Sequence, residues 1–185
     1  HILHIALNLL FPPVCGICGK IDENYLCDNC YTKLSQQMPI KLLCKKNQQD
    51  IFHLFAYKGV IREKLLAYKF KEQSYLAKTF AQLCIKNEKC YEFIKSYDII
   101  IPVPMHSKKK RQRGYNQCEL IAKELQKYSP IMVETKALIK CQNTPAQSTL
   151  GKEARKINVK NVYKVQNINK IENKSVLLLD DIYTT

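Results

Sequence analysis

No stretch of this chain reaches the roughly 18 uninterrupted apolar residues that a membrane-spanning helix needs. The most apolar segment, residues 2–14, is interrupted by Asn8 and Pro12-Pro13 and has no basic leader, so neither a spanning anchor nor a secretory signal is expected. Internal repeats with a period of 20–50 residues are absent too, which leaves no sign of a solenoid or propeller. Low-complexity sequence goes no further than the basic run Lys108-Lys109-Lys110-Arg111. Acidic residues are scarce: 16 Asp and Glu face 30 Lys and Arg, leaving a net charge of +14 at neutral pH. That imbalance points to an anionic partner, whether nucleic acid, a phosphorylated metabolite or a membrane surface.

What the chain does have is enough apolar sequence, 46% of 185 residues, to bury a core in one main domain with a small appendage. Charge divides it into three. Residues 1–40 carry two basic and three acidic side chains, residues 41–97 carry 12 and 5, and residues 98–185 carry 16 and 8. The first segment also holds four of the nine cysteines, as Cys15-x-x-Cys18 and Cys27-x-x-Cys30. Cys44, Cys84, Cys90, Cys118 and Cys141 occur singly, and an odd, mostly scattered set suits a reducing cytoplasm.

Periodicity and punctuation predict a short apolar helix over residues 2–11, a compact knuckle over 15–30, and a helix over 28–37 with Asp28 as its cap. Residues 51–58 suit a strand. Residues 59–70 and 74–86 suit helices, the latter with Leu76, Phe80 and Leu83 on one face and Ser74 as a cap. A buried-type strand at 98–104, cut off by Pro102 and Pro104, leads to a helix at 116–127, a weak strand at 131–133 and a β-like segment at 162–165. The final apolar run is Val176 to Leu179. Two apolar runs without polar alternation, separated by helical patterns, resemble parallel strands covered on both faces, and so an α/β fold.

Three clusters carry chemistry. Two Cys-x-x-Cys turns facing each other can set Cys15, Cys18, Cys27 and Cys30 tetrahedrally around one ion; four soft thiolates favour zinc, in a structural role because no position stays open for water. Two disulfides or four buried free thiols are the alternatives. Asp180 and Asp181 follow the last apolar run at the carboxyl edge of the expected sheet, where two carboxylates can accept from a vicinal diol and Thr184 and Thr185 can meet a phosphate. A helix cap or a solvated strand end is the plainer reading. Lys108, Lys109, Lys110, Arg111 and Arg113 crowd a loop after the proline-stiffened strand, with Gly114 for a left-handed turn and Tyr115 for stacking. They can grip a pyrophosphate or a phosphodiester backbone, or simply face water.

The run Val-Leu-Leu-Leu-Asp-Asp-Ile-Tyr-Thr-Thr at the end of the chain resembles the start of the 5-phosphoribosyl-1-pyrophosphate (PRPP) signature of type I phosphoribosyltransferases. With the cysteine knuckle, Tyr68-Lys69-Phe70, Ile101-Pro102-Val103-Pro104, Arg111-Gln112-Arg113-Gly114-Tyr115-Asn116-Gln117, Thr144 with Gln147, and Arg155 with Asn158-Val159, it resembles the ComF-type competence proteins. The resemblance runs from Cys15 to Thr185. It implies a phosphoribosyltransferase-like parallel sheet with flanking helices over 98–185, a hood-like linking region over 41–97, and an N-terminal helix with a zinc knuckle over 1–40. The signature's Gly-x-Thr lies past Thr185, so a chain ending there would carry half a phosphate cradle and bind PRPP weakly.

In the enzymatic reading that the resemblance implies, Asp180, Asp181, Thr184 and Thr185 hold the ribose and phosphate of PRPP with Mg²⁺. Lys108, Lys109, Lys110, Arg111 and Arg113 hold the diphosphate, and Lys69 and Tyr115 face the acceptor or a base. No residue is an obvious general base. The alternative is a non-enzymatic protein that binds single-stranded DNA in the cytoplasm during transformation, or an adaptor that docks on a competence helicase.

Overall fold

The computed structural model describes residues 11–38, 43–46, 49–144 and 161–183. The expected helix at the start of the chain, Gln147, Arg155, Asn158, Val159, Thr184 and Thr185 therefore lie outside the described residues. Two compact units form: residues 1–96 with 181–185, and residues 97–180.

In the first unit a two-cysteine turn at 15–18 leads to helix α1 (Asp28–Ser35), then to an antiparallel pair, β1 (Leu43–Lys46) and β2 (Gln49–Phe52). Helices α2 (Gly59–Phe70), α3 (Leu76–Lys86) and α4 (Glu88–Lys95) follow. The core joins Cys15, Leu26, Cys30 and Leu34 to Ile61, Leu65 and Leu83, so the knuckle shares one apolar centre with α2 and α3. Ile182, close to the end of the chain, packs on the same cluster.

Caps move some boundaries from where the sequence put them. Cys27 precedes α1 and Asp28 is its first helical residue, where a carboxylate favours the positive helix end. Tyr75, not Ser74, stands before α3, and its side chain accepts no cap hydrogen bond. Asn87 starts α4 by accepting from the Cys90 amide, a helix that periodicity alone left unmarked. The strand expected over 51–58 is short: only its first residues pair, in β2.

The second unit is α/β. Its parallel sheet has the order β4 (Met132–Val133), β3 (Ile99–Pro102), β7 (Val176–Leu179), with α6 (Gln117–Gln126) packed on β3 and β4. The three isoleucines of β3 are buried on both faces, as a central parallel strand requires. The final apolar run differs from expectation here. Among the described residues strand β7 pairs on one side only, with β3, and Leu178 is 59% exposed, where the sequence suggested a strand covered on both faces. A separate antiparallel hairpin pairs β5 (Leu138–Lys140) with β6 (Tyr163–Val165).

Asp98 and Ser175 lock the register of β3 and β7. The Ser175 hydroxyl and amide both donate to Asp98 Oδ2, at 2.6 and 2.8 Å, and the Asp98 amide donates back to Ser175 Oγ at 2.9 Å. These bonds hold the Asp98 carboxyl below its usual value. At the other end Pro102 lies beside Leu179, and the Val103 amide donates to Leu179 O at 2.9 Å. The segments after β3 and β7 consequently leave the same carboxyl edge of the sheet from adjacent strands. Among the described residues, no helix is long and apolar enough to cross a membrane.

Candidate metal centre and anion-binding edge

The knuckle brings its four cysteines together. The sulfur atoms of Cys15, Cys18, Cys27 and Cys30 all lie within 4.8 Å of one another, and Cys18 Sγ is 3.8 Å from Cys27 Sγ. All four are free thiols, which removes the disulfide alternative. Four thiolates at a zinc–sulfur distance of about 2.3 Å in a tetrahedron stand roughly 3.8 Å apart, so the cluster has the size that a zinc ion needs. Four such clustered cysteines could hold a metal and are compatible with structural zinc. Backbone bonds shape the first turn: the Gly19 amide donates to Cys15 O at 2.8 Å with Gly19 at φ +78°, and the Cys15 amide donates to Lys20 O at 2.7 Å. Burial raises the Cys15 thiol, but amides of Cys18, Cys27 and Ile17 pull it down to about 7.

Helix α3 clamps this knuckle. Thr79 Oγ1 donates to Tyr25 O at 2.8 Å, and Lys78 Nζ donates to the Tyr25 hydroxyl at 2.6 Å. At the far end of the helix the Tyr31 hydroxyl donates to Lys86 O at 2.6 Å, while Lys86 Nζ pairs with Asp28 at 2.6 Å.

In the same unit Lys69 Nζ makes a 2.7 Å ion pair with Asp181 Oδ2. Lys69 extends from the last turn of α2 beside the fully buried Tyr68, whose ring meets Phe80 at 5.6 Å. Phe70 is 70% exposed.

The basic run forms a helix where the sequence suggested a loop. Helix α5 (Ser107–Arg113) is capped by His106, whose Nδ1 accepts from the Lys108 amide, and ends at Gly114, φ +86°, the left-handed turn expected of it. Among the described residues, three of the five cations have these protein partners. Lys109 Nζ donates to Thr144 O at 2.7 Å, Lys110 pairs with Glu119 at 2.7 Å, and Arg113 donates to Gln117 Oε1 at 2.6 Å. Lys108 and Arg111 are exposed, and Tyr115 is half-buried. Next comes Asn116, buried, which caps α6 through the Cys118 amide and donates Nδ2 to Val103 O at 3.0 Å. One side chain thus ties the start of α6 to the end of β3.

Asp180 ends β7 with an exposed carboxylate that accepts from the buried Cys118 thiol at 3.7 Å. Two residues that sequence reasoning missed flank it. Lys140 on β5 and Tyr163 on β6 are register partners, with the Lys140 ammonium 5.6 Å from the centre of the Tyr163 ring. Lys140 is held below its usual pKa by burial and by the positive charge of Lys109, against the pull of Asp180. The Tyr163 phenol is raised by burial and by the neighbouring acidic groups of Asp180 and Cys118. No local spacing marks them, because 22 residues separate the two and only the hairpin brings them together.

The chain is similar over nearly its whole length to ComF-type competence proteins. It is 26% identical to Competence protein F of Haemophilus influenzae over 99% of this chain and 82% of that protein. It is 23% identical to Competence protein ComFC of Bacillus subtilis over 93% of this chain and 66% of that protein. Identity to the DNA utilization protein YhgH of Escherichia coli K12 is 21%, over 93% of this chain and 78% of that protein. No protein-family model matches the chain.

Proposed function

We propose that this is a ComF-type competence protein of the cytoplasm that binds PRPP or a similar phosphoribosyl ligand with Mg²⁺ and acts in the uptake and use of DNA. The observation that carries it is the shared edge of β3 and β7. Asp180 follows β7 and the basic helix α5 follows its parallel neighbour β3, so a carboxylate and five cations leave the same edge of one sheet, which supports the reading. Relatives named for competence and DNA utilization support the cellular role.

In this reading Asp180 and Asp181 hold the ribose hydroxyls and the basic helix α5 holds the diphosphate. Transfer would displace pyrophosphate from the anomeric carbon through an oxocarbenium-like state. Bound Mg²⁺, beside the carboxylates, would stabilise the departing charge. The Cys15, Cys18, Cys27 and Cys30 zinc is structural.

Isothermal titration of PRPP with Mg²⁺ tests the proposal: saturable binding that Asp180→Asn weakens at least about tenfold is expected from losing one charge-assisted contact. Binding indifferent to Asp180 rejects it. A second reading, single-stranded DNA binding without catalysis, draws on the +14 charge and on lysines set over tyrosine rings, Lys78 on Tyr25 at 4.0 Å and Lys95 on Tyr91 at 4.8 Å. It predicts an oligonucleotide affinity that falls steeply with salt and ignores Asp180→Asn. Docking on a competence helicase is the adaptor form of that reading.

A further inference from the structure

We propose that Cys18 and Cys27 form a thiol–disulfide switch in the knuckle: a peroxide joins them, and the disulfide then closes the two cysteine turns in place of the metal ion. The inference rests on the zinc reading of the four cysteines. Their surroundings are unequal. Cys15 is 1% and Cys30 6% exposed, both inside the apolar core shared with α2 and α3. Cys18 is exposed and Cys27 half-buried, and their sulfur atoms stand 3.8 Å apart. The side of the turn next to Cys18 is open as well. A Cβ on Gly19 would meet nothing within 4 Å, whereas one on Gly16 would strike Thr79 and Leu76 of α3. The knuckle thus presents one pair of thiols towards water and turns the other pair into the core.

A thiol that ligates a metal is deprotonated, and a thiolate open to water is the form that a peroxide oxidises. The Cys18 sulfur attacks one peroxide oxygen: the S–O bond forms, the O–O bond breaks, and the departing hydroxide takes up a proton to become water. The Cys27 thiolate then attacks the Cys18 sulfur. The S–S bond forms, the S–O bond breaks, and a second hydroxide leaves as water. Two electrons pass from the two sulfur atoms to the peroxide. Only Cys15 and Cys30 remain as thiolates, too few for a closed four-thiolate shell. Cys18 and Cys27 lie nine positions apart and belong to different turns, so their disulfide links the same two turns that the ion links. It requires the sulfur atoms to close from 3.8 Å to about 2.0 Å. A bond within either Cys-x-x-Cys turn would leave the two turns unconnected.

The test treats the zinc-loaded full chain with hydrogen peroxide and reads zinc release to a chromogenic chelator, new disulfides by peptide mass mapping, and the Tm. Release of about one zinc per chain is expected, with a Cys18–Cys27 crosslink that dithiothreitol and zinc reverse. The oxidised chain should melt at least about 5 °C above reduced chain stripped by chelator, because the crosslink restricts the unfolded state. Cys141, exposed in the second unit, reports that the oxidant has acted, and Cys141→Ser should release zinc at the wild-type rate. Zinc retained while Cys141 is oxidised overturns the proposal. So does a map that joins Cys15 or Cys30, or an oxidised chain that melts no higher than the stripped one. A reduced chain that binds no zinc, yet forms the Cys18–Cys27 bond, overturns the metal reading and the exchange with it. A zinc-binding chain that forms no such bond overturns the switch alone.

Discussion

Lys69 Nζ sits 2.7 Å from Asp181 Oδ2, and the two side chains are only 16% and 6% exposed. Residues more than a hundred positions apart thereby close an ion pair away from water, next to Ile182, which packs against the apolar core. Removing one partner of a buried pair strands the other charge, at about 3–5 kcal/mol. Lys69→Met and Asp181→Asn should each lower stability strongly in urea denaturation. Lys69→Met combined with Asp181→Leu should recover most of the loss. A coupling energy below about 0.5 kcal/mol would show that the pair is merely superficial.

The four-cysteine cluster makes a prediction about metal. Protein purified without chelator should carry about one zinc per chain, the content of a closed four-thiolate site. Because Cys15 and Cys30 belong to the core shared with α2 and α3, stripping the ion should lower the Tm of the first unit as a whole. Cys18, the exposed member, is the cleanest position to alter. Cys18→Ser should lose zinc without creating a cavity. A zinc-free protein with wild-type melting would exclude a structural metal.

How legible the chain was depended on how local each signal is. Cys-x-x-Cys spacing is local, and it brought four sulfur atoms together as expected. Strand β3 was legible because a central parallel strand is a continuous apolar run, and the turn at Gly114 because only glycine adopts φ +86° cheaply. The basic run was misread as a loop because charge says nothing about backbone; His106 and Gly114 supply the two helix ends. The apolar run at Leu178 suggested cover on both faces, yet strand neighbours decide burial, and among the described residues β7 has a neighbour on one side. Lys140 and Tyr163 were invisible for a related reason. Their pairing is made by a hairpin, not by any period in the sequence.

Glu119 gives a pH dependence with a definite sign. Burial raises its carboxyl, but Lys110 at 2.7 Å and Lys123 at 2.8 Å outweigh that and hold it below the ordinary glutamate value. A depressed folded pKa contributes stability above the unfolded value, about 4.3, and that contribution fades as pH falls through the folded one. Acid should therefore weaken the hold of Glu119 on α5 through Lys110. Glu119→Gln should lower the Tm at neutral pH and reduce its fall between about pH 5 and pH 3. An unchanged acid limb in the variant would show that other carboxyls dominate.

Gly16 and Gly19 sit in one knuckle for different reasons, and substitution separates them. A Cβ on Gly16 would collide with Thr79 Oγ1 and Leu76 Cδ2 of helix α3. Neither can yield cheaply: Thr79 is fixed by its bond to Tyr25 O, and Leu76 is fully buried. Gly16→Ala should therefore cost about 1–3 kcal/mol, the usual range for overpacking, by pushing the first cysteine turn off the helix. Gly19 has open space around it, but φ +78° disfavours a side chain, so Gly19→Ala should cost only about 1 kcal/mol. The two also differ in what they disturb. Displacing the turn should weaken zinc retention against a chelator, whereas backbone strain at Gly19 leaves the contact with α3 in place. Thermal melts and chelator competition on both variants decide it: equal losses, or a Gly16→Ala protein as stable as the wild type, would mean that α3 does not clamp the knuckle.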